Sequence, residues 1–185
     1  MTARALCHAD LSQLLIIDIQ QRLATAMPDE VMQTVLANTN ILLQAAAQLN
    51  IPVMHTEQYP QGLGPSHAAL QARLPDKPIT KTCFSSCGAD GMADILSEPS
   101  REQWIIMGME THVCVTQTCM DLLSQDKTVI VVADGVCSRT RANFKNGLDR
   151  MRQAGAIIAN TESVLFEWLG DASHKQFRSL SKLIR

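Results

Sequence analysis

The chain has 185 residues, 46% hydrophobic and 18% charged, which suits one globular domain with a sizeable core. A formal net charge of −2 and a pI of about 6.2 give no reason to expect a nucleic acid or an anionic membrane as partner. The six cysteines are too scattered for a disulfide scaffold, and no apolar run matches a signal peptide or the roughly 20 residues of a membrane span. We therefore expect a single domain over residues 1–185 in the reducing cytoplasm.

Strand-like and helix-like segments alternate along the chain with short connections. Strands are predicted at 14–19, 51–55, 78–84, 104–107, 128–133 and 156–159. Helices are predicted from an Asp29 cap to Leu49 and at 90–96, 112–124, 141–154, 163–168 and 173–184, with a loop at 56–65. This order predicts a three-layer α/β/α fold around a mainly parallel, about six-stranded Rossmann-like sheet.

Three reactive side chains follow predicted strands. Asp18 ends the first, Lys81 lies in the third, and Cys114 stands after a glycine turn that follows the fourth. Because ligands of open parallel sheets bind beyond the carboxyl ends of the strands, we expect the three to converge. Each residue alone has an ordinary interpretation: a free cysteine is mostly a small buried hydrophobe, and a carboxylate after a strand is often a helix cap or half of an ion pair.

Three segments in this order resemble the signature segments of the isochorismatase-like cysteine hydrolase superfamily. They are Asp18-Ile19-Gln20, the Lys81–Ser85 stretch Lys-Thr-Cys-Phe-Ser, and Gly108–Val115, which reads Gly-Met-Glu-Thr-His-Val-Cys-Val. The resemblance extends over nearly the whole chain, and the loop at 56–65 is similar to that of the isochorismatase domain-containing proteins.

The resemblance implies a catalytic triad of Asp18, Lys81 and Cys114 and a cis peptide between Met109 and Glu110. Backbone N–H groups of Glu110 and Cys114 would form the oxyanion hole. The Lys81 ammonium and a helix N-terminus are expected to lower the pKa of the Cys114 thiol, while Asp18 accepts its proton. Cys114 would then be the fastest-alkylated cysteine of the chain. The expected activity is hydrolysis of a C–N bond, in an amide or carbamoyl group of a small molecule, through a thioester.

The substrate pocket and the cofactor requirement are less constrained by the sequence. Position alone makes Gln20, Tyr59, Phe84 and His112 pocket candidates, and solvent exposure at the helix start is an equal alternative for His112. We expect no cofactor and no metal, because residues 57–60 lack the Asp-x-His set that binds metal in the nicotinamidases of the superfamily. His55 is expected to be a core residue. Relatives are commonly dimers, tetramers or larger, so a homo-oligomer is expected.

Two rival functions remain open. The chain could be a non-catalytic scaffold or ligand sensor that keeps the hydrolase fold, although an intact triad argues against this. It could also be a thiol redox sensor that uses Cys114 and Cys119, but residues five apart at a helix start point to different faces.

Overall fold

The computed structural model describes residues 6–98 and 101–184 of the chain. Its centre is a six-stranded sheet in the order β3-β2-β1-β4-β5-β6, in which every neighbouring pair is parallel. The strands are β1 Ser12–Ile17, β2 Val53–Gln58, β3 Ile79–Lys81, β4 Gln103–Met109, β5 Thr128–Cys137 and β6 Ile157–Ala159. The α/β/α fold with a Rossmann-like parallel sheet is therefore confirmed.

Helices connect the strands and cover both faces of the sheet. They are α1 Gln21–Ala24, α2 Asp29–Leu49, α3 Pro60–Leu63, α4 Ala68–Gln71, α5 Met92–Ser97, α6 Thr116–Ser124, α7 Arg141–Gln153, α8 Thr161–Leu169 and α9 Phe177–Leu180. Two short 3₁₀ turns, Ser86–Gly88 and Ser181–Ile184, and a π-helical turn, Thr111–Val115, complete the structure.

Side chains of β1 alternate between two hydrophobic cores. Leu14 and Ile16 join the core under α2 and α8, whereas Leu15 and Ile17 join the core under α5, α6 and α7. All six residues of β1 are buried, as expected for a strand inside a parallel sheet that is covered on both faces. Because β1 is packed on both faces, the position of the residue that follows it is also well fixed.

The strand order reverses direction between β1 and β4, which are neighbours although they are distant in the chain. A crevice forms at such a switch point because the connections leave the sheet toward opposite faces. At Gly108 of β4, a Cβ atom would stand 2.3 Å from the backbone oxygen of Ile17, so only glycine lets these two strands approach as they do. The crevice thus opens just past Ile17 and Gly108.

Helix α7 supports the far side of this crevice by backbone contact. A Cβ atom at Gly147 would lie 2.9 Å from the carbonyl carbon and oxygen of Thr111 and 3.0 Å from the backbone nitrogen of His112. The glycine therefore lets α7 press directly against the π-helical turn Thr111–Val115.

Several predicted boundaries differ from the structure. The predicted third strand at 78–84 is only three residues long, and the predicted loop at 56–65 holds the end of β2 and the short helix α3. Pro28, not Asp29, is the N-cap of α2, and Asp29 lies in its first turn. The predicted helix at 112–124 begins as a π turn. The short helices α1, α3 and α4 span only four residues each, which is too few for a hydrophobic period to show.

Candidate active site

Asp18 is a fully buried carboxylate directly after β1, in a left-handed backbone conformation with φ 52°. Its Oδ1 accepts a hydrogen bond from Thr56 Oγ1 at 2.6 Å. Its Oδ2 lies 2.6 Å from Lys81 Nζ. A buried carboxylate is costly unless both oxygens find donors or counterions, and here the neighbouring strands β2 and β3 supply them.

Lys81 is the last residue of the edge strand β3, and its side chain is also buried. Besides Asp18, its ammonium donates to Gln58 Oε1 at 2.8 Å and to the backbone carbonyl oxygens of Phe84 at 3.0 Å and Cys83 at 3.4 Å. An ammonium has three N–H donors, and these acceptors hold it in one place. The chain segment after β3 folds back over the ammonium and closes it off from water.

Cys114 lies in the π-helical turn Thr111–Val115, and only 5% of its surface is exposed. Its backbone carbonyl accepts a hydrogen bond from Thr118 Oγ1 at 2.7 Å, which ties the turn to α6. The negative charge of Asp18 and the positive charge of Lys81 both act on the Cys114 thiol. Asp18 pairs directly with Lys81, and the structure brings the three residues together.

The expected lowering of the Cys114 pKa is wrong. Burial, first, and then the negative charge of Asp18 raise the pKa of this thiol to about 12, and the opposing charge of Lys81 does not compensate. Desolvation penalises a thiolate more than one nearby ammonium stabilises it when that ammonium is already paired with a carboxylate. At neutral pH the Cys114 side chain is therefore a neutral thiol.

The expected cis peptide between Met109 and Glu110 is also wrong, since the described residues contain no cis peptide bond. Glu110 instead enters the turn with a left-handed φ of 57°. Its nearly buried carboxylate has Oε1 2.7 Å from Arg139 Nε and Oε2 3.2 Å from His112 Nδ1. The same His112 nitrogen lies 3.1 Å from Ser138 Oγ.

A cavity of about 370 Å³ opens onto Cys114. The lining residues come from α1 and the residues after it, from α3, from the end of β2, and from the segments after β3, β4 and β5. They are Leu23, Ala26, Gln58, Leu63, Phe84, Glu110, Val113, Cys114 and Arg139. Sequence reasoning missed six of these residues: Leu23, Ala26, Gln58, Leu63, Val113 and Arg139. Leu23 and Leu63 belong to helices too short to predict, and Arg139 carried no spacing signal.

The four pocket candidates from the sequence fare differently. Phe84 lines the cavity, with 53% of its surface exposed. Gln20 is fully buried, where its amide donates to the carbonyl oxygens of Gln58 at 3.0 Å and Gly64 at 2.6 Å. Tyr59 lines a second cavity, which Lys81 and Cys83 also line. His112 does not line the cavity, but its Nδ1 lies 3.2 Å from Oε2 of Glu110, which does.

Metal ligands and membrane spans were sought over residues 6–98 and 101–184. Within them, no cluster of three or more His, Cys, Asp or Glu side chains is arranged to hold a metal ion. No helix in these ranges has the length and apolar character to cross a membrane. His55 is buried in β2, and burial lowers the pKa of its imidazole, which fits the expectation of a core residue.

The remaining cysteines are free thiols in different surroundings. Cys7, Cys119 and Cys137 are buried, and burial raises the pKa of each. Cys87 is half-buried, and Cys83 is exposed. Cys83 is therefore the most accessible thiol among the described residues.

Comparison with known proteins identifies relatives along most of the chain. The isochorismatase domain family matches residues 12–163. A secreted isochorismatase effector of Phytophthora sojae, Isc1, is 40% identical over 157 residues, covering 82% of this chain and 75% of the relative. Isochorismatase domain-containing protein 2 of Danio rerio is 38% identical over 173 residues, covering 94% of this chain and 86% of the relative.

Solved structures extend the similarity to the whole fold. The MAR1 ribonuclease of Caenorhabditis elegans has a TM-score of 0.90 at 34% identity, covering 97% of this chain and 92% of that one. The YcaC gene product of Escherichia coli, an octameric hydrolase of unknown specificity, has a TM-score of 0.87 at 25% identity, covering 100% of this chain and 91% of that one.

Proposed function

Because the chain belongs to the isochorismatase family of hydrolases, we propose that it hydrolyses a C–N bond of a small amide or carbamoyl compound with Cys114 as nucleophile. The observation that carries this proposal is the position of Asp18, which pairs with the Lys81 ammonium at 2.6 Å and lies close enough to the Cys114 thiol for its charge to act on that thiol. Nucleophilic catalysis by a cysteine uses a thiol, a base that accepts its proton and a third group that orients the base.

The first half of the reaction makes a thioester. Asp18 takes the proton of Cys114 as the sulfur attacks the substrate carbonyl carbon, which gives a tetrahedral oxyanion. The C–N bond then breaks, and the protonated Asp18 returns the proton to the departing amine or ammonia. An acyl group remains on Cys114.

The second half releases the acid. Water attacks the thioester while Asp18 accepts one of its protons, and collapse of the second tetrahedral intermediate expels the Cys114 sulfur, which regains its proton from Asp18. One water is consumed, and one acid and one amine are produced. The same carboxylate serves as base and as acid in both halves.

The raised pKa of Cys114 fits this sequence of steps. A thiol that ionises only when the substrate carbonyl is in place transfers its proton during attack and is not held as a free thiolate. Lys81 then acts by keeping Asp18 oriented and by balancing the charge that moves onto the sulfur.

The developing oxyanion requires donors on the side of the turn after β4. We assign this role to the backbone N–H groups of Glu110 and Cys114, which belong to the turn that carries the nucleophile. Loss of one such donor typically lowers the rate by about 10²–10³-fold. The left-handed Glu110 in this turn takes the place of the cis bond that the family resemblance implied.

The decisive experiment is intact-protein and peptide mass spectrometry after incubation with a panel of amides and carbamoyl compounds. An acyl or carbamoyl adduct is expected on Cys114, with hydrolysis that disappears in Cys114→Ala while the protein stays folded. The matched control is Cys87→Ser, which changes a half-buried thiol outside the triad and should leave turnover unchanged.

Turnover retained by Cys114→Ala would contradict the proposal. Since one structural neighbour bears the name ribonuclease, the panel should also contain RNA. Cleavage of RNA without any amide turnover would replace the proposed activity. If no substrate is turned over and no adduct forms, the scaffold alternative is favoured.

Compartment and assembly belong to the same proposal. Six free thiols are typical of a reducing compartment, so we propose a cytoplasmic protein, although the Phytophthora relative is named as secreted. The octameric Escherichia coli neighbour supports a homo-oligomer. Mass photometry at working concentration tests the second point, and a purely monomeric protein would contradict it.

A further inference from the structure

The cavity at Cys114 has a mostly hydrophobic wall. Five of the nine residues that line it are apolar: Leu23, Ala26, Leu63, Phe84 and Val113. Phe84 exposes 53% of its surface, one of the few large hydrophobic side chains to do so among the described residues. An exposed aromatic ring at the mouth of a catalytic cavity gains free energy when an apolar ligand covers it.

The charged groups at this cavity form two ion pairs, and neither oxygen of the Glu110 carboxylate accepts a hydrogen bond from the described residues. The Glu110 carboxylate is nearly buried, and Arg139 provides its counterion at 2.7 Å. Beneath them, Asp18 and Lys81 form their own buried pair at 2.6 Å. The charges of these four residues cancel, and His112 adds a further contact to Glu110.

A charged substrate would have to compete with these pairs. A substrate carboxylate bound to Arg139 would have to share that cation with the buried Glu110 carboxylate, and it would sit beside the negative charges of Glu110 and Asp18. A substrate ammonium would compete with Arg139 and Lys81 for carboxylates that are already paired. Uncompensated charge in a site of low dielectric is strongly unfavourable.

We propose that the substrate is a small uncharged amide whose acyl group is apolar, and that Phe84 sets this preference by covering the acyl chain. This inference rests on the proposed C–N hydrolysis and names the chemical class on which it acts. Phe84 is then a specificity residue at the cavity mouth and takes no part in bond cleavage, which the other three residues perform.

The test compares three amides of similar length: pentanamide, which is neutral, succinamate, which is an anion, and γ-aminobutyramide, which is a cation. Pentanamide should have a kcat/KM about 10–100-fold above either charged amide. Phe84→Ala should raise the KM for pentanamide about 10-fold with kcat nearly unchanged, because only binding of the chain is lost. It should leave the KM for acetamide unchanged, since acetamide is too short to reach the ring.

The matched control is Phe166→Ala. Phe166 is another partly exposed phenylalanine, which lies on α8 and packs against Phe177 of α9. The substitution should change neither constant. A preference for succinamate or γ-aminobutyramide would overturn the inference while leaving C–N hydrolysis intact. An equal KM increase for acetamide and pentanamide in Phe84→Ala would also overturn it.

Calorimetric binding to Cys114→Ala separates the two proposals, because binding there does not depend on turnover. If the wild type cleaves none of the amides but the variant binds pentanamide more tightly than the charged pair, C–N hydrolysis fails and the assignment of the pocket stands. If the variant binds the charged amides with the same affinity as pentanamide, or binds none of the three, the inference itself fails.

Discussion

The two sides of the crevice are built differently. On the β1–β2–β3 side, Asp18 and Lys81 are buried and held by short contacts to Thr56 and Gln58. On the β4–β5 side, the Glu110 carboxylate is balanced by Arg139, whose side chain is 57% exposed. Proton transfer requires donors and acceptors fixed to a few tenths of an ångström, whereas substrate recognition tolerates a wall that adjusts. The buried Asp18–Lys81 pair therefore suits proton transfer, whereas the Glu110–Arg139 pair, with its partly exposed arginine, can adjust to a ligand.

The largest expected effect comes from the buried side. Asp18→Asn keeps the shape of the side chain but removes the base, so we expect kcat to fall by about 10²–10⁴-fold. Lys81 would also lose its buried counterion, at a cost of about 3–5 kcal/mol in the free energy of unfolding. Steady-state kinetics and urea unfolding measure the two effects separately.

Cys114, Asp18 and Lys81 should behave as one unit. The triple alanine variant is then expected to be little worse than Cys114→Ala alone. A triple variant far less active than each single variant would show that the three residues act independently, and the distinction between the two sides would lose its basis.

Thr56→Val is the next test of the buried side. It keeps the volume of the side chain while deleting the donor to Asp18 Oδ1, so the carboxylate oxygen is left unsatisfied. We expect a loss of about 1–3 kcal/mol in the free energy of unfolding and about a tenfold loss in kcat. Thr39→Val is a control, because Thr39 is also a buried threonine, and it lies in α2 away from the crevice. No decrease in kcat for Thr56→Val would mean that Asp18 needs no orientation from β2.

Arg139→Ala probes the exposed side. It removes the counterion of the nearly buried Glu110, whose backbone N–H is the proposed oxyanion donor, so kcat should fall about tenfold and the free energy of unfolding should also decrease. Arg139→Lys should recover part of the rate, since it restores a cation. An effect as large as that of Asp18→Asn would show that bond breaking depends on Arg139 as strongly as on the buried pair.

The smallest expected effect concerns thiol reactivity. Because Cys114 is buried and its pKa is raised to about 12, iodoacetamide should label exposed Cys83 first near neutral pH. Labelling of Cys114 should increase only as the pH rises toward that pKa. Lys81→Met should slow it further, since the ammonium is the one group that lowers this pKa. Peptide mass spectrometry across a pH series measures both sites. Preferential labelling of Cys114 at pH 7 would contradict the raised pKa.

The sequence predicted the fold and the meeting of Asp18, Lys81 and Cys114 for a common reason. Apolar runs reveal buried parallel strands, and the carboxyl ends of such strands share one edge of the sheet. Position after a strand was therefore enough to bring residues 18, 81 and 114 together.

The parts that escaped prediction depend on distances within the folded chain. The pKa of Cys114 follows from how deeply it is buried, and a motif does not specify that depth. Gln20 and Tyr59 are close in sequence to site residues, but neither lines the cavity at Cys114. The Gln20 amide donates to the backbone carbonyl oxygens of Gln58 and Gly64, and Tyr59 lines a second cavity. Arg139 reaches Glu110 only because β5 lies beside β4.

The backbone contact at Gly147 makes this position intolerant of substitution, unlike positions in the cavity wall. Alanine is the better helix former by about 1 kcal/mol, yet at residue 147 its Cβ would collide with Thr111, so a saturation library should retain only glycine there. Phe84 and Leu63 have no such backbone constraint. The cavity wall can therefore diverge by substitution among descendants of this protein, while the contact between α7 and the turn Thr111–Val115 restricts residue 147 to glycine.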